Sequence, residues 1–283
     1  MNVERLDGRI AVVTGGSSGV GLAAAKGLAR LGARTILISR REQSAKRAVD
    51  EIKRITGNPA VEFALCDLTD PVAVQALIHD LEKQIPHIAV LVSAAGSVGE
   101  QGVTSSGIPR AFATNYLGHF FLIRAALPLL NAAPDGRILI VGVMPALIRR
   151  LRTVSYSAVG PEMSSTALMN QAVAWKLLLA HHLAVTHPGG PSINVFHPGL
   201  IRSNLLSGGT IAAKAIGAIF NRFAKDHCVV VEYLASSSAV TGASGNMFDD
   251  RGRRVNLPSI VTAEHADNVW KASVAMTERA LGG

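Results

Sequence analysis

The chain of 283 residues is 48% hydrophobic and only 17% charged, which supplies enough apolar side chain for a two-sided core and leaves no polar tract that reads as disorder. Its formal charge of +8 is scattered, with no aromatic-basic recognition motif, so it argues for an anionic cofactor or substrate rather than nucleic acid. Cys66 and Cys228 are far apart; they make neither a disulfide framework nor a metal spacing, and read as small buried side chains in a reducing compartment.

Short β-branched runs alternate with helical patterns from the start. RIAVV is followed by a helix over about Gly19 to Leu31, TILIS by Glu42 to Ile55, and VEFAL by Pro71 to Gln84. Further strands are expected at Ile88 to Val92, Ile138 to Val141, Ile193 to Phe196 and Asn246 to Phe248, with long helices near Gly107 to Leu130 and Glu162 to Thr186. This alternation predicts an α/β fold: one doubly wound, parallel sheet of about seven strands, covered by helices on both faces. No repeat or composition break marks a second domain, so residues 1–283 read as one unit. The longest apolar run, Ile138 to Ile148, is too short to cross a bilayer and is broken by Gly142 and Pro145. The N-terminus has no separable signal segment, so a cytoplasmic protein with no integral membrane segment is expected.

TGGSSGVG, Thr14 to Gly21, follows a buried strand and opens a helix, the context in which a glycine-rich loop has meaning. Its glycines let the backbone turn tightly and approach a pyrophosphate, whose charge meets the free N–H groups of the next helix. The second strand ends in Ser39, Arg40 and Arg41, where a carboxylate would otherwise serve a ribose 2′-hydroxyl. Two guanidiniums there suit a 2′-phosphate and point to NADP(H), although they could merely cap a solvated helix start.

Together these segments resemble the short-chain dehydrogenase/reductase family over nearly the whole length. Thr14, Gly15, Gly19 and Gly21 match its TGxxxGxG loop, with Ser17, Ser18 and Val20 between them. CDL looks like the segment whose aspartate, here Asp67 beside Leu68, binds adenine; SAAG, with Ala94, Ala95 and Gly96, is similar to NNAG with both asparagines replaced. NYLGHFFL resembles the helix bearing the active-site asparagine, here Asn115, and HPGLIRS the segment beside the nicotinamide, with Pro198, Gly199 and Ile201. The ISRRE, HPG, YLASS and GNMFDD segments look most like the retinol-dehydrogenase-like branch. The resemblance implies a Rossmann-type NADP(H)-binding domain, and pairing of long helices into a homodimer or homotetramer.

The family's serine and tyrosine hold the substrate oxygen, and a lysine four residues after the tyrosine lowers its pKa so that it can pass a proton. Tyr116, Tyr156 and Tyr233 are the only tyrosines, and Phe120, Gly160 and Ser237 follow them at that spacing, so YxxxK is absent. Counting forward from RILIVGV places Val143 at the serine and Tyr156 at the tyrosine, with Gly160 at the lysine. Counting back from Pro198 places Leu168 at the tyrosine and Ala172 at the lysine, and Gly160-Pro161 as loop punctuation favours this register. Lys176, one turn beyond Ala172, could reach the cofactor ribose or simply snorkel from the helix surface. Asn115, Tyr156 and Lys176 are the candidate catalytic residues; Tyr156 reads equally as an ordinary loop residue, and Asn115 as a structural amide. His181, His182 and His187 lack a matching ligand set, so no metal is expected, and Arg149, Arg150 and Arg152 read as a solvated loop.

TIAAKAIGAIFNRFAKDH occupies the family's substrate-lid position near residues 203–227, and its apolar face implies a bulky hydrophobic substrate. A basic amphipathic helix on a membrane surface competes with that reading. Three functions remain open: an enzyme with non-canonical chemistry, delivering hydride to an iminium-type acceptor or performing a non-redox cyclisation or lyase step; an ordinary alcohol or ketone oxidoreductase with substitute residues; and a non-catalytic NADP(H) sensor.

Overall fold

The computed structural model describes residues 1–97, 100–156, 159–160, 162–201 and 226–282. Eight strands form one sheet: β1 (Ile10–Thr14), β2 (Arg34–Ser39), β3 (Val61–Leu65), β4 (Val90–Ser93), β5 (Arg137–Val141), β6 (Ser192–Phe196), β7 (Asn246–Phe248) and β8 (Arg254–Val255). Their order is β3-β2-β1-β4-β5-β6-β7-β8, parallel until the antiparallel pair β7–β8. The seven expected strands are present. The eighth has only two residues and no alternation by which a sequence could announce it.

The helices are α1 (Gly19–Arg30), α2 (Glu42–Thr56), α3 (Pro71–Gln84), α4 (110–131), α5 (Pro145–Ile148), α6 (Ser165–Thr186), α7 (Val229–Ser236) and α8 (Ala263–Gly282). They divide between two buried clusters, one on each face of the sheet. Leu28, Val49, Ile52, Val230 and Leu234 of α1, α2 and α7 pack on one face; Leu77, Phe112, Trp175 and Val269 of α3, α4, α6 and α8 pack on the other. The five helices expected up to Thr186 exist, α3 with the expected ends and the others with ends shifted by one to three residues. α6 starts at Ser165 rather than near Glu162, because Ser164 caps it by accepting the Ala167 N–H at 3.2 Å. α3 begins where expected, since Asp70 caps it and Pro71 fills its first turn.

α4 is α-helical over Arg110–Phe112, widens to a π turn over Ala113–Leu117, and resumes over Gly118–Asn131. The cause is local. Asn115 Nδ2 donates to the Ala111 carbonyl at 2.7 Å, taking the acceptor its own backbone N–H would use, and Gly118 N–H reaches back five residues to Ala113.

This turn is braced by aromatic side chains. Trp175 of α6 is fully buried and meets Phe112 and Tyr116 edge-on, at centroid separations of 5.4 and 5.2 Å. Helix α8, which the sequence reading did not foresee, lies across both long helices: Trp270 contacts Phe120 of α4 edge-on at 5.1 Å and stacks on His182 of α6 at 4.5 Å. No described helix is long and apolar enough to cross a membrane.

Trp175→Ala empties the centre of this brace and is expected to lower unfolding stability by about 3–5 kcal/mol, with a smaller loss for Trp175→Phe. Chemical denaturation of both variants measures the difference.

Candidate functional site

The sheet reverses its strand order between β1 and β4, where doubly wound sheets open a crevice at the carboxyl ends of the strands. Here the β1–α1 loop and the segment after β4 touch. The Thr14 hydroxyl accepts from Ala94 N–H at 2.9 Å and Ala95 N–H at 3.0 Å. Gly15 has φ +63°, and a Cβ there would lie 3.0 Å from Ala95 Cα; a Cβ on Gly21 would lie 2.4 Å from the Gly15 carbonyl oxygen. Both positions therefore require glycine, one by conformation and both by space. The N-terminus of α1 has no side-chain cap, leaving its first N–H groups directed at the crevice mouth.

Gly15, Ser17, Ser18, Arg40, Arg41, Asp67, Leu68, Ala95 and Gly96, all expected from sequence, line one cleft. Gly21 packs against Gly15 behind it, Gly19 opens α1 at φ +54°, and Val20 and Ala94 pack on the adjoining core. Cys66, Thr69 and Thr114 also line the cleft and were not foreseen as such. Burial, then the charges of Asp67 and Asp70, push the Cys66 thiol up to about 12, so it is an inert wall. Burial alone would raise the Asp67 carboxyl. Hydrogen bonds from the Thr69 amide at 3.0 Å and hydroxyl at 2.8 Å, with the charges of Arg40 and Arg110, outweigh it and hold the group ionised below the ordinary range.

Asn115 spends its amide on the main chain. Nδ2 donates to the Ser97 and Ala111 carbonyls, both at 2.7 Å, and Oδ1 accepts the Ser97 N–H at 3.3 Å. It fastens the loop after β4 to the π turn. Beneath that loop, Ser93 Oγ lies 2.7 Å from His119 Nδ1, and His119 Nε2 lies 2.7 Å from the Ala95 oxygen. A carbonyl only accepts, so Nε2 carries the proton and Nδ1 accepts from Ser93. Burial, then the charge of Lys176, depress the His119 pKa well below the imidazole range, so the ring is neutral.

Leu168 and Ala172, at the tyrosine and lysine positions in the register counted back from Pro198, are buried in the core. Lys176 is also buried. Its Nζ donates to the Val141 carbonyl at 3.1 Å, at the end of β5, with no carboxylate partner among the described residues, and burial lowers its pKa to about 7.

Tyr156 does not join it. Its hydroxyl is hydrogen-bonded to His265 Nδ1 on α8, and burial, then Glu264, raise its pKa despite a hydrogen bond with Asn268. The preceding Ser155 carbonyl accepts from Gln171 at 3.3 Å and Trp175 at 3.2 Å, which lie about 140° and 100° around α6 from Lys176 at ~100° per residue.

Pro198, Gly199 and Ile201 follow β6 at the same edge of the sheet. Gly199 has φ +75°, and a Cβ there would meet Asp250 Cβ at 2.9 Å; Ile201 is buried with the α1-side core. The expected lid at 203–227 lies almost wholly outside the described residues. Among the described residues no three His, Cys, Asp or Glu side chains assemble as a metal site. Arg149, Arg150 and Arg152 are exposed.

A parallel, doubly wound sheet with a glycine-lined cleft at its switch point defines an α/β protein of the Rossmann type. Residues 9–172 match the short chain dehydrogenase family, and the chain belongs to that family of oxidoreductases. Human polyprenol dehydrogenase is 26% identical over 281 residues, covering 95% of this chain and 85% of its own. Human retinol dehydrogenase 14 is 26% identical over 294 residues, covering 96% and 87%. A Shigella flexneri 2a short chain dehydrogenase solved in complex with NADP superposes with TM-score 0.68 at 22% identity, over 88% of this chain and 100% of that one. An uncharacterized Mycobacterium paratuberculosis protein superposes with TM-score 0.74 at 23% identity, over 98% and 96%.

With a folded pKa near 7 and an unfolded pKa near 10.5, Lys176 binds fewer protons folded than unfolded between those values. Its cost to stability is therefore full below pH 7 and fades by roughly 1.4 kcal/mol per pH unit above it. Lys176→Met should be more stable than the parent at pH 7, and urea denaturation across pH 7 to 10 should show the gap closing.

Proposed function

We propose that the chain is an NADP(H)-dependent oxidoreductase that acts on a hydrophobic small molecule without a tyrosine-lysine relay, passing hydride to an acceptor that is already polarised or cationic, such as an iminium. The glycine contacts at Gly15 and Gly21 fit a pyrophosphate, and Arg40 and Arg41 fit a 2′-phosphate. Two solved relatives were determined in complex with NADP and with NADPH, and several curated relatives are retinol dehydrogenases, which supports this cofactor and a retinol-dehydrogenase-like placement. The likeness spans nearly the whole chain, consistent with one NADP(H)-binding domain over 1–283.

One observation carries the chemical part of the reading: Leu168 and Ala172, which the register counted back from Pro198 puts at the relay positions, are buried apolar side chains, and the Tyr156 hydroxyl, which the other register would use, is engaged by His265. NADPH, when bound, supplies a hydride. Arg40 and Arg41 hold its phosphate end, Asp67 lies on the adenine side, and Pro198 and Gly199 border the nicotinamide side. A ketone reduced to an alkoxide needs a proton, and Leu168 and Ala172 have none to give. An iminium carbon that accepts hydride becomes a neutral amine and needs none. An apolar wall also suits a cyclisation or lyase step in which the nucleotide only shapes the pocket.

A second reading rests on Lys176. A buried amine with a pKa of about 7 at the end of β5 could serve as the proton source for ordinary ketone reduction, in place of the phenol.

Mixing the protein with NADPH and a panel of ketones, aldehydes and cyclic imines, and following absorbance of the reduced cofactor, separates the readings. Turnover confined to imines and unchanged in Tyr156→Phe is expected. Ketone turnover that disappears in Tyr156→Phe restores the usual relay, and ketone turnover lost only in Lys176→Met favours the second reading.

A further inference from the structure

We propose that Glu100 is a carboxylate latch that competes with the nucleotide for Arg40, and so limits how strongly the cleft prefers a 2′-phosphorylated dinucleotide over an unphosphorylated one. This rests on reading Arg40 as the 2′-phosphate ligand. Glu100 sits behind the cleft wall, bonded to two residues that line it, Arg40 and Thr114. Arg40 follows β2; Glu100 belongs to the segment after β4. Arg40 Nη1 reaches Glu100 Oε1 at 3.1 Å.

The carboxylate is the anchored partner. Its Oε2 accepts the Thr114 hydroxyl at 2.7 Å, and Arg110 Nε stands 3.7 Å from Oε1. The Glu100 side chain is 16% exposed against 48% for Arg40, so the guanidinium is the end free to swing. Arg110 is also tied to Asp67 at 3.3 Å, which fixes it behind the latch. When Arg40 leaves, Thr114 and Arg110 remain with Glu100, and the partly buried charge is not stranded.

A phosphate at Arg40 therefore meets two obstacles. It must displace a bound carboxylate from the guanidinium fork, and it brings negative charge near a second, fixed negative charge. A ribose 2′-hydroxyl meets neither. The latch acts against the phosphorylated cofactor alone, which gives it a signature that a general loss of packing lacks.

Dissociation constants for NADPH and NADH, measured on the full chain by calorimetry, test this on the parent, Glu100→Gln, Glu100→Ala, Arg40→Ala and the Arg40→Ala/Glu100→Gln double variant. Thermal melts verify that each is folded. Both Glu100 variants should bind NADPH about fivefold tighter, within the range of one partly exposed ion pair, with NADH essentially unchanged. Arg40→Ala should weaken NADPH and abolish the gain from Glu100→Gln. If Arg40→Ala weakens NADPH but neither Glu100 variant tightens it, the latch is wrong and the phosphate reading stands. If Arg40→Ala leaves NADPH untouched, the phosphate reading and the latch both fall. Weakened NADH binding in Glu100→Gln would make Glu100 a ribose ligand and overturn the latch.

Discussion

The contact between Gly15 and Ala95, closed by the Thr14 hydroxyl, is the constraint on which the site depends. It joins the first loop of one half of the sheet to the segment after the first strand of the other, and one side-chain oxygen satisfies two backbone N–H groups that would otherwise be orphaned. The crevice at the strand-order reversal is shaped by this approach. The Ser93–His119–Ala95 array and the Asn115 amide then hold the same segment from below and from the side, so the floor is fixed by four hydrogen-bonding side chains and no charge.

The two halves of the site are built on different principles. The proposed nucleotide half would rely on backbone N–H groups, glycine geometry and guanidiniums, which tolerate change in neighbouring side chains. The chemical half relies on side chains at specified helix positions, and there α6 presents Leu168 and Ala172. Lys176 keeps a cationic group within the same helix, yet ties it to the Val141 carbonyl in an environment that favours the neutral amine. A lysine acting on a phenol needs its charge, and this burial works against that charge. The buried amine and the apolar wall therefore point the same way.

Much of this was legible in the chain. β1, β2 and β4 are near-continuous apolar runs because both faces of a parallel strand are covered, and Asp70-Pro71 announces the start of α3 through a cap and a proline that local chemistry dictates. The nine cleft-lining residues read from the loop motifs fall together because each is fixed by a turn or a strand end. What stayed hidden depends on tertiary contact. Helix α8 turns Ala266, Val269, Ser273, Met276 and Thr277 inward, a face too small and polar to print an apolar stripe. Glu100 pairs with a residue 60 positions earlier, and nothing local marks it. Tyr156 could be placed only by finding His265 against it, and Lys176 only by finding that its burial outcompetes snorkelling.

The central claim is that an intact nucleotide cleft faces an α6 that carries no proton relay. A crystal structure of the NADP⁺ complex tests it most directly, through the surroundings of the nicotinamide ribose. The account predicts Leu168 and Ala172 along that wall, Lys176 Nζ still on the Val141 carbonyl, and the Tyr156 hydroxyl still on His265. A tyrosine hydroxyl and a lysine ammonium together against the nicotinamide ribose would contradict it.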